Sequence, residues 1–201
     1  MLNRLGLQLS GRQHAHVQSF RLPAQKYLRL LCRKMALAHA GSDAFLDMDC
    51  ESRPIFPAQT RFSTSFSYAG DHAFCAFYNA ENDAASMIGL DASSSTLTIR
   101  QQQAMSGWFA KLCSSSAGHD FLHLAESQQL LRLWLLHECF IKLNGICKLL
   151  RAFDSIMRLA FNNNDRVAIN NFHARFLTSG NFRFCIAGSE NILKEPIKVA
   201  I

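Results

Sequence analysis

FSTSFSYAGDHAFCAFY, Phe62–Tyr78, decides the class of the fold. Its first seven residues alternate large and small side chains: Phe62, Thr64, Phe66 and Tyr68 against Ser63, Ser65 and Ser67. A period of two places each set on its own face of a strand. Ala69, Gly70 and Asp71 form a turn. His72–Tyr78 is a mostly apolar run of strand length. A third short buried strand is expected at Met87–Ala92, with Asp91 at its end. A carboxylate among apolar strand residues is costly to bury without a partner, which singles out Asp91.

Helices flank these strands. Tyr27, Leu28, Leu31, Met35 and Leu37 keep a rough helical period over Ala24–Ala40, with Pro23 near the start and Gly41 past the end. Gln101–Leu112 is expected to be helical. Ala125–Leu150 carries the strongest helical pattern, which Gly145 ends or breaks. The last third gives two strands, Arg166–Leu177 and Asn181–Gly188. Phe74-Cys75 recurs as Phe184-Cys185 in similar surroundings, which suggests a duplicated α+β unit.

The chain has 201 residues, 49% of them hydrophobic and only 18% charged, so one sizeable core or two packed cores are affordable. The net charge of +6 favours anionic partners. The basic residues are scattered; the densest group is Arg29, Arg33 and Lys34, too sparse for a nucleic-acid face. Seven cysteines without a C-x-x-C pair fit reduced, buried thiols of a cytoplasmic protein better than zinc or redox chemistry. The first sixteen residues lack the apolar centre of a signal peptide, and no run approaches the ~18 apolar residues that span a bilayer.

Chemistry concentrates in WLLHECFIKLNG, Trp134–Gly145. His137-Glu138 resembles the start of a zinc-protease H-E-x-x-H, but the second histidine position is Ile141, and zinc needs three or four ligands. The informative line is Trp134, Glu138 and Lys142, four residues apart and therefore on one helix face. Taken alone, Glu138 and Lys142 are a stabilising surface pair. Taken with Asp91, the two carboxylates suit one Mg²⁺ ion, which is typically held by one or two carboxylates plus phosphate oxygens. A nearby lysine then suits phosphate charge or proton transfer.

In this order, FSTSFS, FCAF, IGLDAS and LWLLHECFIKLNG resemble the motifs of the two-half 4′-phosphopantetheinyl transferases. Trp134, Glu138, Lys142 and Gly145 match that family's W-x-x-K-E-x-x-x-K-x-x-G in register. The similarity spans about Arg53–Gly145 and extends loosely to the helix of Arg33 and to Asn181–Gly188. It implies two similar α+β halves related by a pseudo-twofold axis, 1–86 and 87–201, the second carrying the metal-site acids. It implies a Mg²⁺-dependent transfer of the phosphopantetheine arm of coenzyme A to a serine of an acyl or peptidyl carrier protein, with release of 3′,5′-ADP. The resemblance assigns Asp91 and Glu138 to the metal and Glu138 or Lys142 to the catalytic proton transfer. It assigns Arg33, Arg53, Ser65, Ser67 and Lys142 to coenzyme A. The expected protein is a monomer with neither membrane nor nucleic-acid partners.

Four positions depart from the family pattern: Ser93 stands for an acid, Phe66 for a histidine, Ser63 for an asparagine and His137 for a lysine. The changes at Ser93, Phe66 and His137 motivate the second reading, a divergent relative that binds coenzyme A or a carrier protein without turnover. Trp108, Phe109, Phe121 and Leu122 are core residues in the first instance and a candidate carrier-facing patch in the second.

Overall fold

The structure, a computed structural model, describes residues 8–41, 44–49, 53–57, 62–79, 87–113, 120, 122, 125–144, 146–162, 164–169, 171–190 and 198–200. Residues outside these ranges include Cys50, Phe121, His119, His123 and Gly145. The fold is α+β. Helices are α1 (Gly11–Gln18), α2 (Pro23–Ala40), α3 (Ile99–Ala110), α4 (Ser127–Asn144) and α5 (Ile146–Phe161). Strands are β1 (Asp47–Met48), β2 (Pro54–Ile55), β3 (Phe62–Ala69), β4 (His72–Asn79), β5 (Gly89–Ser94), β6 (Arg166–Ile169), β7 (Phe172–Ser179), β8 (Phe182–Gly188) and β9 (Lys198–Ala200).

The strands form two antiparallel sheets, ordered β1-β2-β3-β4-β9 and β5-β8-β7-β6. Each is built around a hairpin of similar design. In the first, Phe66 pairs with Cys75 and the turn carries Gly70 at φ 61°. In the second, Phe176 pairs with Cys185 and the turn carries Gly180 at φ 55°. A positive φ at the first turn residue matches the twist of a two-residue hairpin, and glycine adopts it without strain. The repeated Phe-Cys pair of the sequence therefore occupies the same place in both hairpins.

The strands that follow the hairpins cross over. β5 follows the first hairpin and pairs with β8 of the second, Asp91 opposite Cys185. β9 follows the second hairpin and pairs with β4 of the first, Cys75 opposite Ala200. The last strand of the stretch expected to form the C-terminal half thus lies in the other sheet.

Alternation along β3 gives the two sheets their junction. Phe62 and Phe66 pack into the cluster of Leu30, Ala36, Leu46 and Phe56 below α2. The serines face the other way, toward the edge of β5. Ser63, Ser65 and Ser67 Oγ accept the backbone N–H of Ile88, Leu90 and Ala92, each at 2.9 Å. The constant offset means that β5 runs parallel to β3, and serine hydroxyls replace the carbonyls of a neighbouring strand. Edge amides left buried and unpaired cost about 1–3 kcal/mol each, so three small hydroxyl residues answer a specific need.

The helical stretch expected over 125–150, with its break at position 145, is two helices, α4 ending at Asn144 and α5 beginning at Ile146, the second turning back so that Phe153, Ile156, Met157 and Ala160 enter the core with Leu133, Leu136 and Phe176. α1 was not expected, because it buries only Gln13 and Val17 and has no apolar stripe; its start is capped by Ser10, whose Oγ accepts Gln13 N–H. The stretch Arg166–Leu177 is a hairpin, not one strand. Cys32, Cys75, Cys139 and Cys185 are buried and free. Burial pushes the Cys32 thiol up to about 12 and the Cys75 thiol to about 11, which keeps both protonated. Among the described residues, no helix is long and apolar enough to cross a membrane.

Candidate functional site

α4 lies on β5 and β8 at unusually close range. A Cβ on Gly89 would stand 3.1 Å from Cys139 O and 3.2 Å from Leu143 Cγ. Glycine at this position lets the helix backbone approach the strand. The Cys139 thiol donates to Cys185 O at 3.1 Å and ties the same turn of α4 to β8. This contact sets Glu138 and Lys142 above Asp91. Asp91 stands third in its six-residue strand, not at the end as the sequence suggested, because the strand runs on to Ser94.

Lys142 is not the surface partner of Glu138. Its Nζ donates to Leu90 O at 2.6 Å, Asp91 Oδ1 at 2.9 Å and Phe66 O at 3.3 Å. An ammonium has three donors, and all three are engaged, on β5 and β3 together. Burial pushes its pKa down, but Asp91 foremost, with Cys139 and Glu138, pulls it further up, so the net position is above the ordinary lysine range. Lys142 is a fixed cation at neutral pH. Asp91 Oδ1 also accepts Ser67 Oγ at 2.8 Å. The carboxylate is buried, 7% exposed, yet has two strong partners.

Glu138 is less constrained. Its side chain is 29% exposed, and its nearest cationic candidate is His137 Nδ1 at 3.6 Å. Burial and the Asp91 charge raise its pKa above the usual glutamate value, with Lys142 opposing. His137 itself is 1% exposed and enclosed by Trp108, Phe109 and Trp134 at ring-centroid distances of 4.4, 5.7 and 5.6 Å. Burial pushes its pKa down to about 4, so it carries no charge where the family pattern has a lysine. Trp134 is likewise a core residue, packed against Trp108 and Phe109.

The residues expected at coenzyme A divide. Ser65 and Ser67 are buried, and their hydroxyls accept β5 amides, so they hold the junction instead of presenting themselves to a ligand. Arg33 is buried against Phe66, donates to Gln13 Oε1 at 2.6 Å and to Arg29 O at 2.9 Å, and is not brought to the Asp91 cluster. Arg53 is nearer: Nη1 lies 3.5 Å from Leu143 O, and Nε pairs with Asp49 at 2.6 Å. Asp49 orients the guanidinium beside the end of α4. Gly89 and the carbonyls of Phe66 and Leu90 belong to the site but were missed; a backbone acceptor leaves no residue type to read.

Among the described residues, no three or more His, Cys, Asp or Glu side chains converge. A metal here would have two protein carboxylates, Asp91 and Glu138, and would take its remaining oxygens from water or substrate, a pattern Mg²⁺ tolerates. The donor set fits such an ion: both carboxylates are hard oxygen donors, and a dication would offset the burial and the neighbouring Asp91 charge that raise Glu138. No family model matches the chain, and no curated protein matches it by sequence.

Proposed function

We propose that this chain is a 4′-phosphopantetheinyl transferase, acting on coenzyme A and a serine of an acyl or peptidyl carrier protein with Mg²⁺. The observation that carries the reading is the meeting of Asp91, Glu138 and Lys142, separated in sequence and matched in register to the family motifs. The reciprocal exchange of β5 and β9 between similar hairpins supports a pseudo-twofold pair of halves, the architecture that the resemblance implies.

In this reading Asp91 and Glu138 would hold Mg²⁺, which would supply positive charge to the pyrophosphate. Glu138, partly exposed, takes the proton of the carrier serine, directly or through water. The serine oxygen forms a new bond to the phosphorus next to the pantetheine. The bond from that phosphorus to the bridging oxygen breaks, and 3′,5′-ADP leaves with the electron pair. Lys142, protonated and held by three acceptors, supplies a fixed positive field and orients Asp91; it is not the base. Arg53 lies at the end of α4 where a phosphate of the cofactor would be received.

A second reading rests on one observation: Ser65 and Ser67 serve the junction, and Phe66 and Ser93 offer no ligand. A relative of the transferases that binds coenzyme A or a carrier protein without turnover fits it. Mass spectrometry of an apo carrier protein incubated with this chain, coenzyme A and Mg²⁺ separates the two. Gain of one phosphopantetheine mass, lost in Asp91→Ala and Glu138→Ala proteins that still fold, is the expected result. No gain across fatty-acid, polyketide and peptide carrier types leaves the second reading.

A further inference from the structure

Toward the earlier part of α4, near Arg132 and Leu135, a cleft of about 700 Å³ opens where β7 runs on past the start of β6. Arg132, Arg166, Arg175 and Arg183 line it against a single acid, Asp165. Arg132 has a structural duty: it lies 3.9 Å over the Phe176 ring and donates to Ala160, Asn162 and Asn164 carbonyls, fixing the loop before β6. Arg166 and Arg175 are placed differently. They stand directly opposite each other on neighbouring strands, an arrangement in which like charges repel. Arg183 donates from Nη2 to Gln128, but its Nε is buried without an acceptor.

Two facing guanidiniums at the wall of a cleft are a cost to the empty protein that an anion removes; Arg183 lies on the α4 face of the sheet with Cys185, the opposite face from Arg166 and Arg175, and stands apart from the pair. Guanidinium donors match phosphate oxygens in pairs. The volume is in the range of small-molecule sites, roughly 300–1,000 Å³, and Phe176, Leu177 and Phe184 give it apolar wall. We propose that this cleft binds a phosphorylated small molecule carrying at least two phosphate charges, through the facing pair Arg166 and Arg175. The site does not depend on the transferase reading, since it uses neither Asp91 nor Glu138.

The test is calorimetric titration of the full chain with inorganic pyrophosphate and with ADP, in EDTA so that no divalent cation draws phosphate to the acidic pair. Wild type and the Asp91→Asn/Glu138→Gln protein are expected to bind alike. Arg166→Gln/Arg175→Gln is expected to bind at least tenfold more weakly, with a shallower salt dependence. Without ligand, that double variant should melt about 1–3 °C higher, because the repulsion is gone. This melt also shows that it is folded. Absence of binding by wild type overturns the proposal, as does equal affinity in the arginine variant or loss of binding in the Asp91/Glu138 variant. Arginine-dependent binding of a poly-glutamate peptide without binding of pyrophosphate overturns it in favour of an acidic protein segment.

Discussion

At the residue scale, Lys142, Glu138 and His137 lie within six residues yet respond to pH in different ways. Lys142 has a raised folded pKa, so its contribution is complete below the ordinary lysine value of 10.5 and is lost as pH rises through the higher folded value. Lys142→Met leaves Asp91 buried without its cation and should cost on the order of 2–4 kcal/mol at pH 7. Urea melts should show that the alkaline loss of stability above about pH 10.5 seen in wild type is reduced in this variant. An unchanged midpoint at pH 7 would remove Lys142 from the centre of the site. Glu138 is different: its raised pKa means that folding favours the neutral acid, so the ionised form opposes stability at pH 7. Glu138→Gln should stabilise by a few tenths to about 1 kcal/mol and, on the proposed function, should abolish transfer. His137 is depressed to about 4, so its contribution is complete above 6.5 and is lost as pH falls from 6.5 toward 4. His137→Phe, placed among Trp108, Phe109 and Trp134, should lose less stability than wild type over that interval, as read by tryptophan fluorescence.

At the scale of elements, the contact of β3 with β5 carries more of the design than any single strand. Ser67 illustrates this: its hydroxyl accepts Ala92 N–H and donates to Asp91 Oδ1, so it joins the junction to the site. Ser67→Ala leaves both partners wanting and should cost about 2–3 kcal/mol. Ser63→Ala, at a half-buried position with one bond, should cost about 1 kcal/mol or less. Denaturant midpoints of the two variants check the ranking, and equal costs would contradict the junction as described. The strands of this junction were legible in the sequence, because alternation along 62–68 and the apolar run of 72–78 are local patterns. The role of the serines was not. A hydroxyl facing a buried strand edge and a hydroxyl facing a phosphate look the same in a sequence. The same limit applies to Lys142: its spacing from Glu138 is local, but its three acceptors come from β3 and β5, 51 to 76 positions away. Asp91 was legible because an acid in an apolar strand is anomalous wherever its partner lies.

At the scale of the molecule, the exchange of β5 and β9 determines how the two sheets fail. Each hairpin receives its neighbour from the strand following the other hairpin, and the serine bonds add a second connection. Independent halves would unfold separately; exchanged strands and a shared core surface predict one cooperative transition. The two tryptophans allow a direct test, because Trp108 and Trp134 both sit in the cluster between α4 and the second sheet. Deleting the chain from Lys198 onward removes β9, an edge of the first sheet, and with it the pairing of Cys75–Phe77. If the sheets were uncoupled, tryptophan fluorescence would melt at the wild-type temperature while circular dichroism lost part of its signal earlier. If the junction couples them, both signals fall together and earlier. Loss of three paired residues is worth roughly 1–2 kcal/mol, which for a chain of this size lowers the melting temperature by about 3–6 °C. Coincident transitions, shifted together, are the expected outcome, since the edge amides of β5 are answered only while β3 keeps its place beside β4.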